Sequence, residues 1–148
     1  MPRKLRIPTG RYSRHILICA DQTKPKCAPR GVTITAWTAL KKRLKEMGLA
    51  QGDGCVFRSK VNCLRVCKEG PIAVVYPDGT WYHSARGKVL ERILVEHLQG
   101  GSPVEEYVFA TNPLALPVEG GSEEAAGLPE RAEHGAGVQD VGTPDSPR

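Results

Sequence analysis

A compact α/β domain on a four-stranded mixed sheet is expected, and three patterns carry that expectation. The first is a strand, helix, strand order: the apolar run His15–Ala20, a helical stripe over Thr35–Met47, and the β-rich run Cys55–Val61. The second is Pro77-Asp78-Gly79 between Ile72–Tyr76 and Thr80–His83, since Asp-Gly between two β-rich runs marks a hairpin. The third is Lys88–Leu98, which repeats Val89, Leu90, Ile93, Leu94 and Leu98 along one helical face.

Each element has a local cause. His15–Ala20 is short and apolar, as a buried strand is. Asp21–Gly31 holds two prolines and a glycine and reads as a loop. Trp37, Leu40, Leu44 and Met47 form the stripe of the first helix, with Thr35 as the expected cap and Gly48 as the stop. Asn62–Pro71 reads as a loop carrying two cysteines, and Gly100-Gly101 ends the last helix. A strand–helix–strand unit crosses over right-handed and leaves its strands parallel. The hairpin adds antiparallel pairing, which gives β-α-β followed by β-β-α. Pro103–Phe109 is expected to pack back on this body through Tyr107 and Phe109.

The 148 residues are 40% hydrophobic and 25% charged, a globular composition with room for one core. Aromatic residues are 5%, so the core is aliphatic. No apolar run approaches a membrane span or the centre of a secretory leader, so a cytoplasmic protein without membrane contact is expected. Residues 1–112 carry 19 basic and 9 acidic side chains, net +10; residues 113–148 carry 2 and 7, net −5. The latter stretch has six glycines, five prolines and no aromatic residue, too little apolar surface to offset ordering entropy, and is expected to be disordered. The expected organisation is a basic segment over 1–12, a folded domain over 13–112 and an acidic tail over 113–148. The charge excess has two readings, a solvated surface or an acidic partner.

The chemistry is carried by cysteines. Cys19 and Cys27 flank the loop after the first strand, and Cys63 and Cys67 follow the second. Parallel strands end on the same sheet edge, so the two pairs are expected to converge there. Four thiols converging in a chain expected to be cytoplasmic point to a metal site rather than disulfides. Zinc fits the Cys63-x₃-Cys67 spacing, but Cys19-x₇-Cys27 is wide for a zinc knuckle. No Cys-x-x-Cys pair is present for thioredoxin chemistry. An iron–sulfur cluster takes four thiolates over a wider span. The remaining alternative is four small buried thiols. His15, His83 and His97 would allow a Rieske-type site, but four suitable cysteines make it unnecessary. Trp37 and Trp81 are expected in the core, and Lys41-Lys42-Arg43-x-Lys45 on the outer face of its helix.

The stretch Cys63-Leu-Arg-Val-Cys67-Lys-Glu-Gly-Pro71, then IAVVYPDGTWYHSA and a helix ending VEHLQGG, resembles the thioredoxin-like 2Fe–2S ferredoxins. HILICA opening into the Cys19–Cys27 loop is similar to their first half, so the resemblance covers about residues 13–109. Two features depart from the pattern: the first loop is short, and Arg65 stands where a small residue, often glycine, is common.

The resemblance implies a thioredoxin-like fold and a 2Fe–2S cluster with Cys19 and Cys27 on one iron and Cys63 and Cys67 on the other. Cys55 matches no ligand position and is expected to be a core thiol away from the cluster edge. The implied function is a soluble one-electron carrier, not an enzyme by itself. Lys24, Lys26, Arg30, Arg65 and Lys68 lie near the ligands in sequence, and backbone N–H groups around Cys27 and Cys63 are candidate donors to sulfur. The expected partner is an acidic-faced redox protein, and the resemblance admits a homodimer. Two alternatives stand beside this: an iron–sulfur subunit of a larger dehydrogenase or hydrogenase, and a basic zinc-stapled nucleic-acid-binding protein. Scarce aromatic side chains for base stacking weigh against the last.

Overall fold

The computed structural model describes residues 10–114. The expectations of a basic segment and of a disordered acidic tail fall largely on residues 1–9 and 115–148, outside the described residues. The elements run β1 (Tyr12–Cys19), α1 (Arg30–Glu46), β2 (Cys55–Val61), β3 (Ala73–Tyr76), β4 (Thr80–Tyr82), α2 (Gly87–Arg92) and β5 (Val108–Thr111). π-Helical turns over Ile93–Gln99 continue α2, and a short 3₁₀ turn, Glu105–Tyr107, leads into β5.

The sheet has five strands in the order β2-β1-β3-β4-β5. β1 and β2 are parallel, with Cys19 opposite Val61, and the other pairs are antiparallel. The expected four-strand count is thus corrected by one. Val108–Thr111 pairs on the edge of β4 across an irregular register at Trp81 and Tyr82, and so short a strand behind Pro103 and two glutamates shows no alternation in the sequence. Of its expected anchors, Tyr107 packs against the core, while Phe109 stays 44% exposed and meets the Trp81 ring edge-on.

The core lies between one sheet face and the helices. Ile16, Ile18, Val56, Ala73, Val75 and Tyr82 face Ala36, Leu40 and Leu44 of α1 and Leu90, Ile93, Leu94 and Leu98 of the second helical segment. The residues between them, among them His15, Phe57 and Trp81, point to the opposite face, where Tyr12, His15 and Phe57 form a ring cluster. Trp81 is only half-buried there, and Trp37 is partly buried at the core margin under Lys41.

α1 begins five residues before its expected start. Pro29 holds the N-cap position with φ of −55°, and its carbonyl accepts from Val32 and Thr33. A residue without an N–H is well suited to a helix start, where amides lack partners anyway. Thr35 is no cap; its hydroxyl donates back to Gly31 O at 2.8 Å inside the helix. Arg43 also leaves the solvated face expected for the lysine-arginine run, donating to Glu91 at 2.9 Å and tying α1 to α2.

Parallel pairing places Cys19 and Val61, the last residues of β1 and β2, side by side. β3 runs the other way, so Ile72, just before its first residue, sits at the same edge, and its carbonyl accepts from Cys19 N–H at 2.9 Å. Three chain segments therefore meet at one end of the sheet. Among the described residues, no helix is long and apolar enough to cross a membrane.

Candidate metal centre

Cys19, Cys27, Cys63 and Cys67 line one recess at that end, together with Gln22, Lys24, Lys26, Asn62 and Val66. Cys19 is buried and Cys27 half-buried, while Cys63 and Cys67 are exposed, so one pair lies inside the protein and the other at its surface. No disulfide joins these four. Cys55 lies at the first position of β2, opposite Tyr12, and is also buried. Six residues of strand put it about 20 Å from the recess end of β2.

The loops around the recess are tied to each other. Asn62 accepts from Thr23 N–H and donates to the Thr23 hydroxyl, both at 2.9 Å, clamping the loop after β1 to the end of β2. Gly70 N–H donates to Cys27 O at 2.9 Å. A Cβ on Gly70 would stand 2.6 Å from Cys27 Sγ and 2.7 Å from Cys27 Cβ, so only glycine allows the two loops to touch there. The glycine at position 70 thus has a steric cause.

Donors converge on the sulfurs. Arg65 N–H reaches Cys63 Sγ at 3.1 Å, and Gln22 Nε2 donates to Cys27 Sγ at 3.3 Å. Arg65 achieves this with φ of +63°, the left-handed conformation that favours glycine. Arg65 thus adopts, with a side chain, a conformation that glycine takes at less cost. Gln22 is a site residue with no sequence signal, because a lone glutamine in a polar loop looks solvated.

Burial pushes the Cys19 thiol up to about 11, against backbone hydrogen bonds involving Leu64 and Ile72 that lower it, and the nearby Cys27 and Cys63 raise it further. A thiol of that kind stays protonated at neutral pH and is a poor nucleophile. A bound cation compensates the cost of its thiolate, and binding then releases the proton. Arg30 and Lys60 hydrogen-bond to Asp21 and hold its carboxyl below the usual range, which leaves Lys24 and Lys26 as the positive groups lining the recess.

Among the described residues, no three or more His, Cys, Asp or Glu side chains group tightly enough for a single metal ion. Four thiols lining one recess match in number the donor set of an iron–sulfur cluster. His15, His83 and His97 are not among the residues lining the recess. His15 bonds to Ser59 Oγ at 2.9 Å and His83 to Ser84 Oγ at 3.0 Å. His97 is wholly buried between Tyr82 and Asp78.

Comparison with known proteins points to the same chemistry. No family model matches the chain. It is 31% identical over 106 residues to a 2Fe-2S ferredoxin of Aquifex aeolicus, covering 66% of this chain and 89% of that protein. Over 50 residues it is 36% identical to a 2Fe-2S ferredoxin of Clostridium pasteurianum, covering 34% of this chain and 49% of that one. The fold is similar to a solved thioredoxin-like [2Fe-2S] ferredoxin from Aquifex aeolicus, with a TM-score of 0.55, 25% identity, and coverage of 68% of this chain and 94% of that one.

Proposed function

The chain belongs to the thioredoxin-like 2Fe–2S ferredoxins, and from that premise we propose that Cys19, Cys27, Cys63 and Cys67 hold its cluster, one pair to each iron. The observation that carries the ligand assignment is the meeting of these four thiols, and not Cys55, in one recess. The donor set fits the group: four sulfurs, two hydrogen bonds already aimed at two of them, and no histidine among the lining residues.

When bound, the cluster supplies one-electron chemistry. The chain's own residues hold and bias it. Cys63 and Cys67, being exposed, present the site to a partner, while Cys19 anchors it to β1. Arg65 N–H and Gln22 Nε2 favour added negative charge on the sulfurs they meet. Lys24 and Lys26 act in the same direction through space. None of these roles requires an acid, a base or a nucleophile, so the protein works as an electron carrier rather than as an enzyme, in the cytoplasm.

The partner is a redox protein with an acidic docking face, approached at the recess. Interfaces for electron transfer are small and transient, so charge acts mainly on encounter rate. Reduction by such a partner slows as salt shortens the screening length to a few ångströms. The deciding experiment is iron and acid-labile sulfide analysis with EPR before and after reduction. Iron and sulfide in equal amounts, with a signal only in the reduced protein, is expected. Stoichiometric zinc without labile sulfide would overturn the assignment.

A further inference from the structure

We propose that Gln22, held in place by Thr33, is a side-chain donor to the Cys27 sulfur that raises the reduction potential of the site. The proposal rests on Cys27 being a ligand, as argued above.

Gln22 is 3% exposed and Thr33 is fully buried, although both are polar. Buried polar groups are retained where each has a partner. The Gln22 amide is used at both ends: Nε2 donates to Cys27 Sγ at 3.3 Å, and Oε1 accepts from Thr33 Oγ1 at 2.7 Å. A metal-bound thiolate carries no proton and can only accept, so the N–H end of the amide must face it. Thr33 Oγ1 stands 2.7 Å from the other end, Oε1, and holds the amide there by donating to it. Thr33 lies in the first turn of α1, a 17-residue helix, so it orients Gln22 from a rigid element. Its hydroxyl also lies 2.9 Å from Arg30 O, which gives it an acceptor if Gln22 is replaced.

The effect has a definite sign. Reduction brings one electron from an external one-electron donor to the site and leaves every covalent bond of the chain as it was. Part of the added negative charge falls on the cysteine sulfurs. A donor aimed at a sulfur binds the more negative state more strongly, which favours the reduced form. The Gln22 contact differs from that of Arg65 N–H, because a side chain can be removed without altering the backbone.

The test is equilibrium redox titration of the full chain with its cluster, for wild type, Gln22→Met, Thr33→Val and Thr33→Ser. Methionine keeps the length of glutamine and lacks the donor. At a fixed potential, Gln22→Met is expected to shift the oxidised-to-reduced ratio about tenfold toward oxidised, a fall of about 59 mV for one electron. Thr33→Val is expected to move it the same way by less, and Thr33→Ser to restore the wild-type value. Resonance Raman bands of the iron–cysteine stretches should move in the two lowering variants alone, a change that mere loosening of the fold does not produce. Unchanged potentials and bands in Gln22→Met and Thr33→Val, with the cluster intact, would overturn the proposal. If Gln22→Met fails to hold the cluster, the contrast between Thr33→Val and Thr33→Ser decides. A Cys27→Ser protein whose cluster spectrum matches wild type would instead overturn the ligand assignment beneath it.

Discussion

The two ends of the sheet are built on opposite plans. At the cysteine end, three loops meet around thiols, two of them exposed. Asp21, Arg65 and Glu69 in these loops take φ of 55°, 63° and 53°, and Ser84, which bonds to Glu69 O, takes 53°. These are all the non-glycine residues with positive φ among the described residues. Each costs on the order of 1 kcal/mol relative to ordinary backbone. From the hairpin at the far end, Arg14 donates to Asp78 at 3.0 Å, Asp78 accepts from His97 Nε2 at 2.7 Å, and His97 Nδ1 accepts from Tyr82 Oη at 2.8 Å, so the network reaches inward to a residue whose backbone pairs with Ala73. Tyr82 Oη in turn accepts from Val104 N–H at 3.0 Å. Each of these side chains has a hydrogen-bond partner within the protein, and none of the residues takes a positive φ. Strain gathers where the chain is shaped for something it must hold, and closed hydrogen bonding gathers where the chain holds itself.

The contrast breaks most sharply at Gly70. Gly70→Ala forces a Cβ against Cys27 and should cost the protein most of its bound iron, while far-UV circular dichroism stays near wild type, because the far end is untouched. Full iron content in that variant would show that the loops tolerate separation.

His97→Phe is the counterpart at the far end. It keeps the volume and removes both hydrogen bonds of a wholly buried ring. A loss of about 2–3 kcal/mol in chemical denaturation is expected, with an unchanged visible spectrum. The same residue gives a pH signature. Burial lowers the His97 pKa from its ordinary 6.5, and the Asp78 contact offsets this only in part. As pH falls below 6.5 the unfolded chain takes up the proton before the folded one does, so stability is full above that value and declines below it. Burial also pushes the Asp78 carboxyl up, but hydrogen bonds with Arg14 and His97 outweigh it and hold the group low, which adds a loss of the same sign at lower pH. Unfolding midpoints measured across this range should fall less steeply in His97→Phe than in wild type.

The smallest effect is expected at Cys55. Cys55→Ser should leave cluster content and spectrum unchanged and cost about 1 kcal/mol for a hydroxyl placed in a buried site. Bleaching as severe as that of Cys19→Ser would remove the distinction between the two ends.

Much of this is legible in the sequence itself. A short apolar run and a β-rich run located β1 and β2, helical periodicity located both helices, and Asp78-Gly79 marked the hairpin, because these signals are local. Parallel β1 and β2 implied that Cys19, Cys27, Cys63 and Cys67 would meet, and they do. β5 was not legible, since an edge strand of four residues draws its order from β4 rather than from its own pattern. Gln22, Thr33, Asp78 and His97 were not legible as partners either. Their sequence separations are 11 and 19 residues, and nothing in a polar residue's identity says whether water or a buried side chain will meet it. Composition and periodicity determine which surfaces must be covered. Only tertiary packing decides which polar groups lose their water, and those are the groups whose hydrogen bonds set the character of each end.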